Sequence, residues 1–443
     1  MSDLLQPGQK IATRSGSQCT VEKFLGSGGQ GEVYKASWDG HDVALKWYYK
    51  HQATANQLRG LEELVKEGKP SDRFLWPNDI AESQGVPGFG YIMGLRPNNY
   101  KSLFDLVAGR VSPPAFALVQ FSLGLCKAFR ALHRNGLCYR DISFGNAFFE
   151  PTTGDVLICD NDNVTTNRSP ITGVLGTPDF MAPEVVRGEA VPSTSTDLHS
   201  LAVLLFYTLF IGHPLLGKKV LNIRMLDSPA REKLFGNEPI FIFDPQDTSN
   251  AAVDFNNDPT GEAGGNPLKY WGIYPEVLRK IFIKAFTAAL NDPNARVTEF
   301  EWLEALTRFR DSYFKCVCGT PNYYDTALFL GDAYVGKCWS CHKVLKLPFR
   351  MRLDNSVVML HAEAKLYPHH LHDGRDFDFS EAVAELAQHP KDPNIWGLKN
   401  LTNDRWVVTM PDGSPRDVEP GRSAPLLVNA KISFGRVVGE IRY

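Results

Sequence analysis

The stretch Leu25-Gly26-Ser27-Gly28-Gly29-Gln30-Gly31-Glu32-Val33-Tyr34-Lys35-Ala36-Ser37-Trp38 decides the fold through the residues that come after its glycines. A G-x-G-x-x-G string opens a dinucleotide-binding fold when its last glycine enters a helix, and it also arises in glycine-rich turns. Here Gly31 leads into GEVYKASW, which mixes apolar and polar residues near period two and reads as a strand. The glycines therefore cap a β-hairpin. Without Cβ atoms, their backbone can lie close over phosphate oxygens. Asp39-Gly40 is a hairpin turn, and Val43-Ala44-Leu45-Lys46 lies on the next strand. A lysine on an apolar strand is costly to bury unless paired, although its stem can also snorkel to water.

Outward from this hairpin, VEKFLG from about Val21 and DVALKWY are its neighbouring strands, and Tyr91-Ile92-Met93 is another. Gln57 to Glu67 reads as a helix with Leu58, Leu61 and Val65 on one face. Of the adjacent Glu62 and Glu63, Glu62 sits beside those leucines and Glu63 points about 100° away. Phe116 to Asn135 is helical and apolar, with Gly136 as its stop. Asp197 to Gly212 is a buried helix. Asp244 to Asn266, rich in Asp, Asn and Gly, reads as a surface loop with little core of its own. Helical pattern resumes over Pro275 to Phe309.

Further strings occur in order along the chain. They are Tyr139-Arg140-Asp141-Ile142-Ser143-Phe144-Gly145-Asn146, then Asp160-Asn161-Asp162, then Gly176-Thr177-Pro178-Asp179-Phe180-Met181-Ala182-Pro183-Glu184, then Asp197-Leu198-His199-Ser200-Leu201, and last Asn291-Asp292-Pro293-Asn294-Ala295-Arg296. Together with the glycine loop and Lys46, this series resembles the eukaryotic-like protein kinases over about residues 18–312. The resemblance implies a bilobal α+β fold and an ATP-dependent phosphotransferase. It makes Asp141 the catalytic base, Lys46 the holder of the α/β-phosphates and Glu62 its orienting partner. Asn146 and Asp160 become ligands of Mg²⁺ or Mn²⁺, with Asp162 as a further or alternative ligand. Leu25, Gly26, Ser27, Gly28, Gly29, Gln30, Gly31, Val33, Ala44, Lys46, Met93 and Leu95 are implied to line the nucleotide site.

Departures from the family pattern are visible. Tyr139 replaces the usual histidine, Ser143 stands where Ser/Thr kinases commonly carry a lysine, and Asn161-Asp162 replaces Phe-Gly. They motivate a second reading, a nucleotide-binding scaffold that recruits partners. Gly176-Thr177 resembles the substrate-loop string of Ser/Thr kinases and implies Ser/Thr acceptors. Thr165, Thr166, Ser169 and Thr172 are candidate phosphorylation sites that would pair with Arg140. Phe74-Leu75-Trp76-Pro77 and Phe241-Ile242-Phe243-Asp244-Pro245 resemble a bacterial kinase group found near phosphatases, which implies a phosphoprotein or phosphatase partner besides protein substrates.

The composition agrees with a folded, multidomain chain. It has 443 residues, 22% charged and 43% hydrophobic, with 47 Lys+Arg against 50 Asp+Glu for a net charge of −3. That excludes a mostly disordered chain and gives no bulk field for nucleic acid or an anionic membrane. MSDLLQPGQK lacks the features of a signal peptide. The longest mainly apolar run, Leu201 to Gly212, falls short of the ~20 residues a spanning helix needs. A cytoplasmic location with reduced thiols is the expectation.

Past Tyr313 the character changes. Cys316-Val317-Cys318-Gly319 and Cys338-Trp339-Ser340-Cys341 give C-x-C and C-x-x-C, the spacing of a four-cysteine zinc ribbon over 313–345. An Fe–S cluster or a redox pair ranks behind structural Zn²⁺, and His342 is a substitute ligand. His369, His370 and His372 read as loop residues beside Pro368 and Asp373-Gly374. Residues 346–443 read as strands and turns, with Ser380 to Gln388 as a helix. Gly397-Leu398-Lys399-Asn400-Leu401-Thr402, Pro420-Gly421 and Ile432-Ser433-Phe434-Gly435 resemble forkhead-associated β-sandwiches, without the Gly-Arg and Ser-x-x-His order that binds phosphothreonine. The plainer reading is a β-rich docking domain.

Overall fold

A computed structural model describes residues 4–167, 176–354, 356–371 and 374–443. Ser169, Thr172 and His372 lie outside them. The chain divides into two compact units, Met1–Leu268 with Phe282–Phe300, and Lys269–Ile281 with Glu301–Tyr443.

The first unit opens with six strands: β1 (Lys10–Thr13), β2 (Gln18–Ser27), β3 (Gly31–Trp38), β4 (His41–Tyr48), β5 (Asp79–Glu82) and β6 (Phe89–Gly94). They close into a barrel in the order β1-β2-β3-β4-β6-β5. The sequence reading begins the strands near Val21 and misses β1. Its Lys-Ile-Ala-Thr is short, but Ile11 and Thr13 turn inward while Lys10 and Ala12 stay out, and β1 pairs with both β2 and β5. At the β3–β4 turn both Asp39 (φ 48°) and Gly40 (φ 79°) are left-handed, which matches the twist of the flanking strands. Gly31 is needed sterically, because a Cβ there would meet the Trp47 carbonyl oxygen at 2.1 Å.

Strand β4 is buried on both faces from Val43 to Tyr48. Leu45 and Trp47 pack with Ile11, Val21 and Tyr34, whereas Ala44 and Tyr48 pack with Tyr91 and Met93 on the other face. Helix α1 (Ala55–Glu67) covers this second face. Thr54 caps it by accepting from the Gln57 N–H, and Gly68 ends it. Leu61 is fully buried there, with Leu58 and Val65 beside it.

Two apolar helices come next, α2 (Ala115–Arg134) and α3 (Thr194–Phe210). The first is long and apolar enough to cross a membrane by length and composition, with 61% of the apolar window buried inside the protein. Ser193 and Thr196 form a reciprocal cap for α3, and every residue from Leu201 to Phe210 is buried. The segment 244–266 lies largely at the surface, as expected of a loop with little core of its own, but a few buried residues anchor it. The Asn250 side chain is buried and donates to the carbonyls of Leu215 (2.9 Å) and Ile240 (2.7 Å), and Asp258 and Ala263 are buried too. Part of the polar composition here thus serves internal hydrogen bonds.

The second unit takes in residues 301–311 of the helix Glu299–Asp311, so the expected boundary at 312 falls inside it. The reason is a buried polar clamp. Asp311 meets His370 Nε2 at 3.2 Å, and the Arg310 guanidinium lies 4.4 Å from the ring centre of Tyr367 and 4.2 Å from that of Phe379. His370 is thus a packed residue of the short helix Pro368–Leu371 and not a solvated loop histidine. Strands on either side of it in the chain form a six-stranded and a four-stranded antiparallel sheet that feed one core. Met351, Trp406, Val408 and Ile432 come from the first, and Leu366, Ala384 and Leu398 from the second. The helix expected over Ser380 to Gln388 is instead a strand, Ala384–His389, paired on both sides with Lys365–Leu366 and Asp392–Asn400. Pairing with two neighbours overrides the helical propensity of Ala, Glu, Leu and Gln.

Candidate active site

The site of the first unit gathers on the short segments after α2. Tyr139 and Arg140 have their backbone N–H groups held by the two oxygens of Asp197, at 2.6 and 2.9 Å. Asp197 is buried in the first turn of α3, so a buried helix fixes the loop that carries Asp141. His133, at the end of α2, bridges Asp197 (3.0 Å) and Glu299. Burial pulls the His133 imidazole down, but its hydrogen bonds to Asp197 and Glu299 outweigh that and push it up to about 9. The Tyr139 ring packs edge-on against Phe129 and its hydroxyl donates to the Cys159 carbonyl. An aromatic in the place of histidine here ties the loop to the strand that leads into Asp160.

Asn146 donates its side-chain amide to the Asp141 carbonyl (2.8 Å) and carboxylate (3.2 Å), which turns its own side-chain oxygen away from Asp141. The Thr177 hydroxyl donates to the other Asp141 oxygen at 2.8 Å. Asp160 follows the strand Val156–Ile158 in a left-handed conformation (φ 51°, ψ 46°), and the Cys159 N–H donates to the Asn146 carbonyl. That backbone turn keeps Asp160 beside Asn146. Asn161, buried, donates to the carbonyls of Leu75 and Ile158 where an apolar ring is expected. Glu184 and Arg296 form a bidentate pair at 2.6 and 2.7 Å, with the Arg296 side chain only 2% exposed.

Lys46 Nζ, nearly buried, lies 2.9 Å from Gln30 Oε1, 3.4 Å from Asp160 Oδ1, and 2.9 and 3.2 Å from the two oxygens of Asp162. Burial pulls the ammonium down, while the charges of Asp162 and Asp160 more than offset it and hold it above its ordinary value. Gln30 also donates to Asn163 at 3.0 Å, so the glycine-loop glutamine spans the lysine and the Asp-Asn-Asp turn. Val33, Ala44, Met93 and Leu95 come together in one apolar cluster, while Leu25 is exposed.

Glu62 requires a correction. It does not face Lys46: it pairs with Arg14, which also binds Glu82, and both Arg14 and Glu62 are about two-fifths exposed. The helix phase explains this. The buried positions of α1 are Leu61 and Leu64; Gln57 lies on that face one turn before Leu61 and reaches the site, whereas Glu62 lies about 100° round from Leu61, away from Leu64. Gln57 donates to the Asp162 carbonyl and to the Tyr48 hydroxyl, both at 3.1 Å, and Tyr48 in turn donates to the Asp162 carboxylate. Sequence reasoning missed Gln57 and Arg14. Tyr48 carried a signal, because it alternates with Ala44 and Lys46 on one face of β4.

Oxygen ligands from Asp160 and Asn146 suit a hard cation such as Mg²⁺ or Mn²⁺. In the second unit the Sγ atoms of Cys316, Cys318, Cys338 and Cys341 all lie within 4.8 Å of one another. Two of the separations, Cys316–Cys341 and Cys318–Cys338, are 3.7 Å. A tetrahedron with Zn–S bonds of about 2.3 Å has edges of about 3.8 Å, so the thiols fit that ion. Left-handed Gly319 and His342 let each cysteine pair turn back on itself. The Asn322 amide points at Cys338 Sγ (3.5 Å), and hydrogen bonding with Thr320 lowers the Cys318 thiol to about 6. His342 is not one of the four converging ligands.

Comparison with known proteins agrees with this geometry. The protein kinase domain profile matches residues 19–255, more than half of the chain. A probable serine/threonine-protein kinase of Dictyostelium discoideum is 27% identical over 196 residues, which is 43% of this chain and 21% of that protein. The serine/threonine-protein kinase PknD of Chlamydia pneumoniae is 24% identical over 331 residues, 64% of this chain and 34% of its own. Glycogen synthase kinase 1 of Pyricularia oryzae is 27% identical over 235 residues, 51% of this chain and 60% of its own. The chain thus spans less than two thirds of the length of each of these relatives.

Proposed function

This chain belongs to the protein kinase domain family, and from that premise we propose that it is an ATP-dependent protein kinase acting on Ser and Thr hydroxyls of proteins, itself included. The observation that carries the reading is the cluster around Asp141, where Asn146 and Thr177 fix both carboxylate oxygens. A carboxylate held in this way accepts the proton of an acceptor hydroxyl as its oxygen bonds to the γ-phosphorus and the bond to the ADP oxygen breaks. Lys46 holds the α/β-phosphates beneath Gly26, Ser27, Gly28, Gly29, Gln30 and Gly31, and the Val33, Ala44, Met93 and Leu95 cluster forms the apolar wall for the base, edged by Leu25. Asn146 and Asp160 would hold Mg²⁺, which supplies neutralisation of phosphate charge when bound. Gln30 must give up Lys46 for the phosphates to take its place.

In the second unit, Cys316, Cys318, Cys338 and Cys341 would hold a structural Zn²⁺, and the two sheets would form a β-sandwich for docking protein partners, a phosphatase or phosphoprotein among them. Closed four-thiolate coordination leaves no open position for chemistry.

Mass spectrometry after incubation with ATP and Mg²⁺ tests the kinase reading. New phosphate on Ser or Thr, of the chain itself or of an added protein, is expected, and Asp141→Asn should lower its rate about 10²–10⁴-fold. ATP binding with no phosphate transferred, and no difference between parent and variant, would leave the scaffold reading in its place.

A further inference from the structure

Resting on the kinase reading, we propose that Asp162, not a glutamate of helix α1, is the positioning residue for Lys46, and that the catalytic lysine is held independently of that helix's side-chain charges. Three observations converge. The Asp162 side chain is fully buried and takes Lys46 Nζ on both oxygens. The buried positions of α1 are Leu61 and Leu64, and Glu62 is bound outside by Arg14. The one polar α1 side chain that reaches the site, Gln57, is neutral and grips the Asp162 backbone and its partner Tyr48.

Chemically the substitution is sound. A buried ammonium needs a carboxylate, and the family arrangement draws it from the helix. Here the position after Asn161 has a side chain where the family has glycine. Its carboxylate lies on the lysine's side of the turn. Tyr48 donates to the same carboxylate and orients it. Asp160 stays partly exposed and 3.4 Å from Lys46, free to serve as the oxygen ligand of the metal. Two aspartates two residues apart thus divide roles: Asp162 for the lysine and Asp160 for the cation.

The test uses the full chain with parent, Asp162→Asn, Glu62→Gln, Lys46→Met and the double variant Lys46→Met/Asp162→Asn. A charged hydrogen bond lost at the lysine predicts a fall in kcat of about 10- to 100-fold for Asp162→Asn, with a smaller change in KM for ATP. Glu62→Gln should stay within twofold of parent. Asp162→Asn added to Lys46→Met should cost nothing more, because the aspartate acts through the lysine. The inference is overturned if Glu62→Gln loses tenfold or more, if Asp162→Asn stays within twofold, or if the two losses at Lys46 and Asp162 multiply. Glu62→Gln changes an exposed side chain, so its arm is read even if Asp162→Asn fails to fold. If the parent transfers no phosphate, the kinase reading fails separately. Affinity for a non-hydrolysable ATP analogue at saturating Mg²⁺ then decides: at least fivefold weaker for Asp162→Asn and unchanged for Glu62→Gln supports the pair, and equal affinities overturn it.

Discussion

His133 gives a prediction whose magnitude can be worked through. It bridges Asp197, which holds the Tyr139 and Arg140 amides, to Glu299. Its imidazole is raised from 6.5 to about 9. A raised native pKa means that the folded state binds the proton more tightly than the unfolded chain. The stabilisation is therefore complete below pH 6.5, falls by about 1.4 kcal/mol per pH unit between the two values, and is lost above about 9. The full amount is about 3 kcal/mol. The perturbation is His133→Gln, which keeps polarity and removes the charge. Urea unfolding of parent and variant, followed from pH 6 to 9.5, reads the difference. The variant should be less stable by about 3 kcal/mol at pH 6, with the gap narrowing to below about 1 kcal/mol at pH 9.5. A gap that stays constant with pH would refute the argument, because packing loss alone does not titrate. A gap that widens would mean that the histidine is buried neutral.

Three further outcomes are expected from other parts of the structure. Arg296→Ala leaves the half-buried Glu184 without its guanidinium partner and should destabilise the first unit by about 3 kcal/mol in urea unfolding; a loss under 1 kcal/mol would show that the pair is solvent-screened. Asn250→Ala strands the carbonyls of Leu215 and Ile240 and the N–H of Lys219, and should cost about 3 kcal/mol by the same measurement, whereas a surface-loop asparagine would cost almost nothing. Protein prepared without chelators should carry about one zinc per chain by elemental analysis, and Cys338→Ser with Cys341→Ser should lose both the metal and thermal stability. Metal-free parent protein with an unchanged melting temperature would remove the zinc assignment.

Legibility was uneven along the chain. The hairpin, the buried α3 and the close cysteine pairs follow from local period, turn chemistry and spacing, which act within a few residues. Strand β1 was hidden because four residues carry too little pattern, and Ala384–His389 because its composition favours helix while two neighbouring strands decide otherwise. Asn250 and His370 looked like loop residues because polarity alone does not distinguish a solvated side chain from one that satisfies buried backbone groups.

By itself, the sequence determined which chemistry is available: a glycine hairpin, a strand lysine, an aspartate and asparagine at fixed spacing, and two thiol pairs. Only the tertiary structure decided which of these groups meet. Lys46 and Asp162 are 116 residues apart, and nothing local to either one specifies the other. A rotation of α1 by one residue, about 100°, separates an inward Glu62 from one bound to Arg14. Packing Leu61 against β4 and β6 fixes that rotation, and the lysine then takes its carboxylate from the turn that lies beneath it.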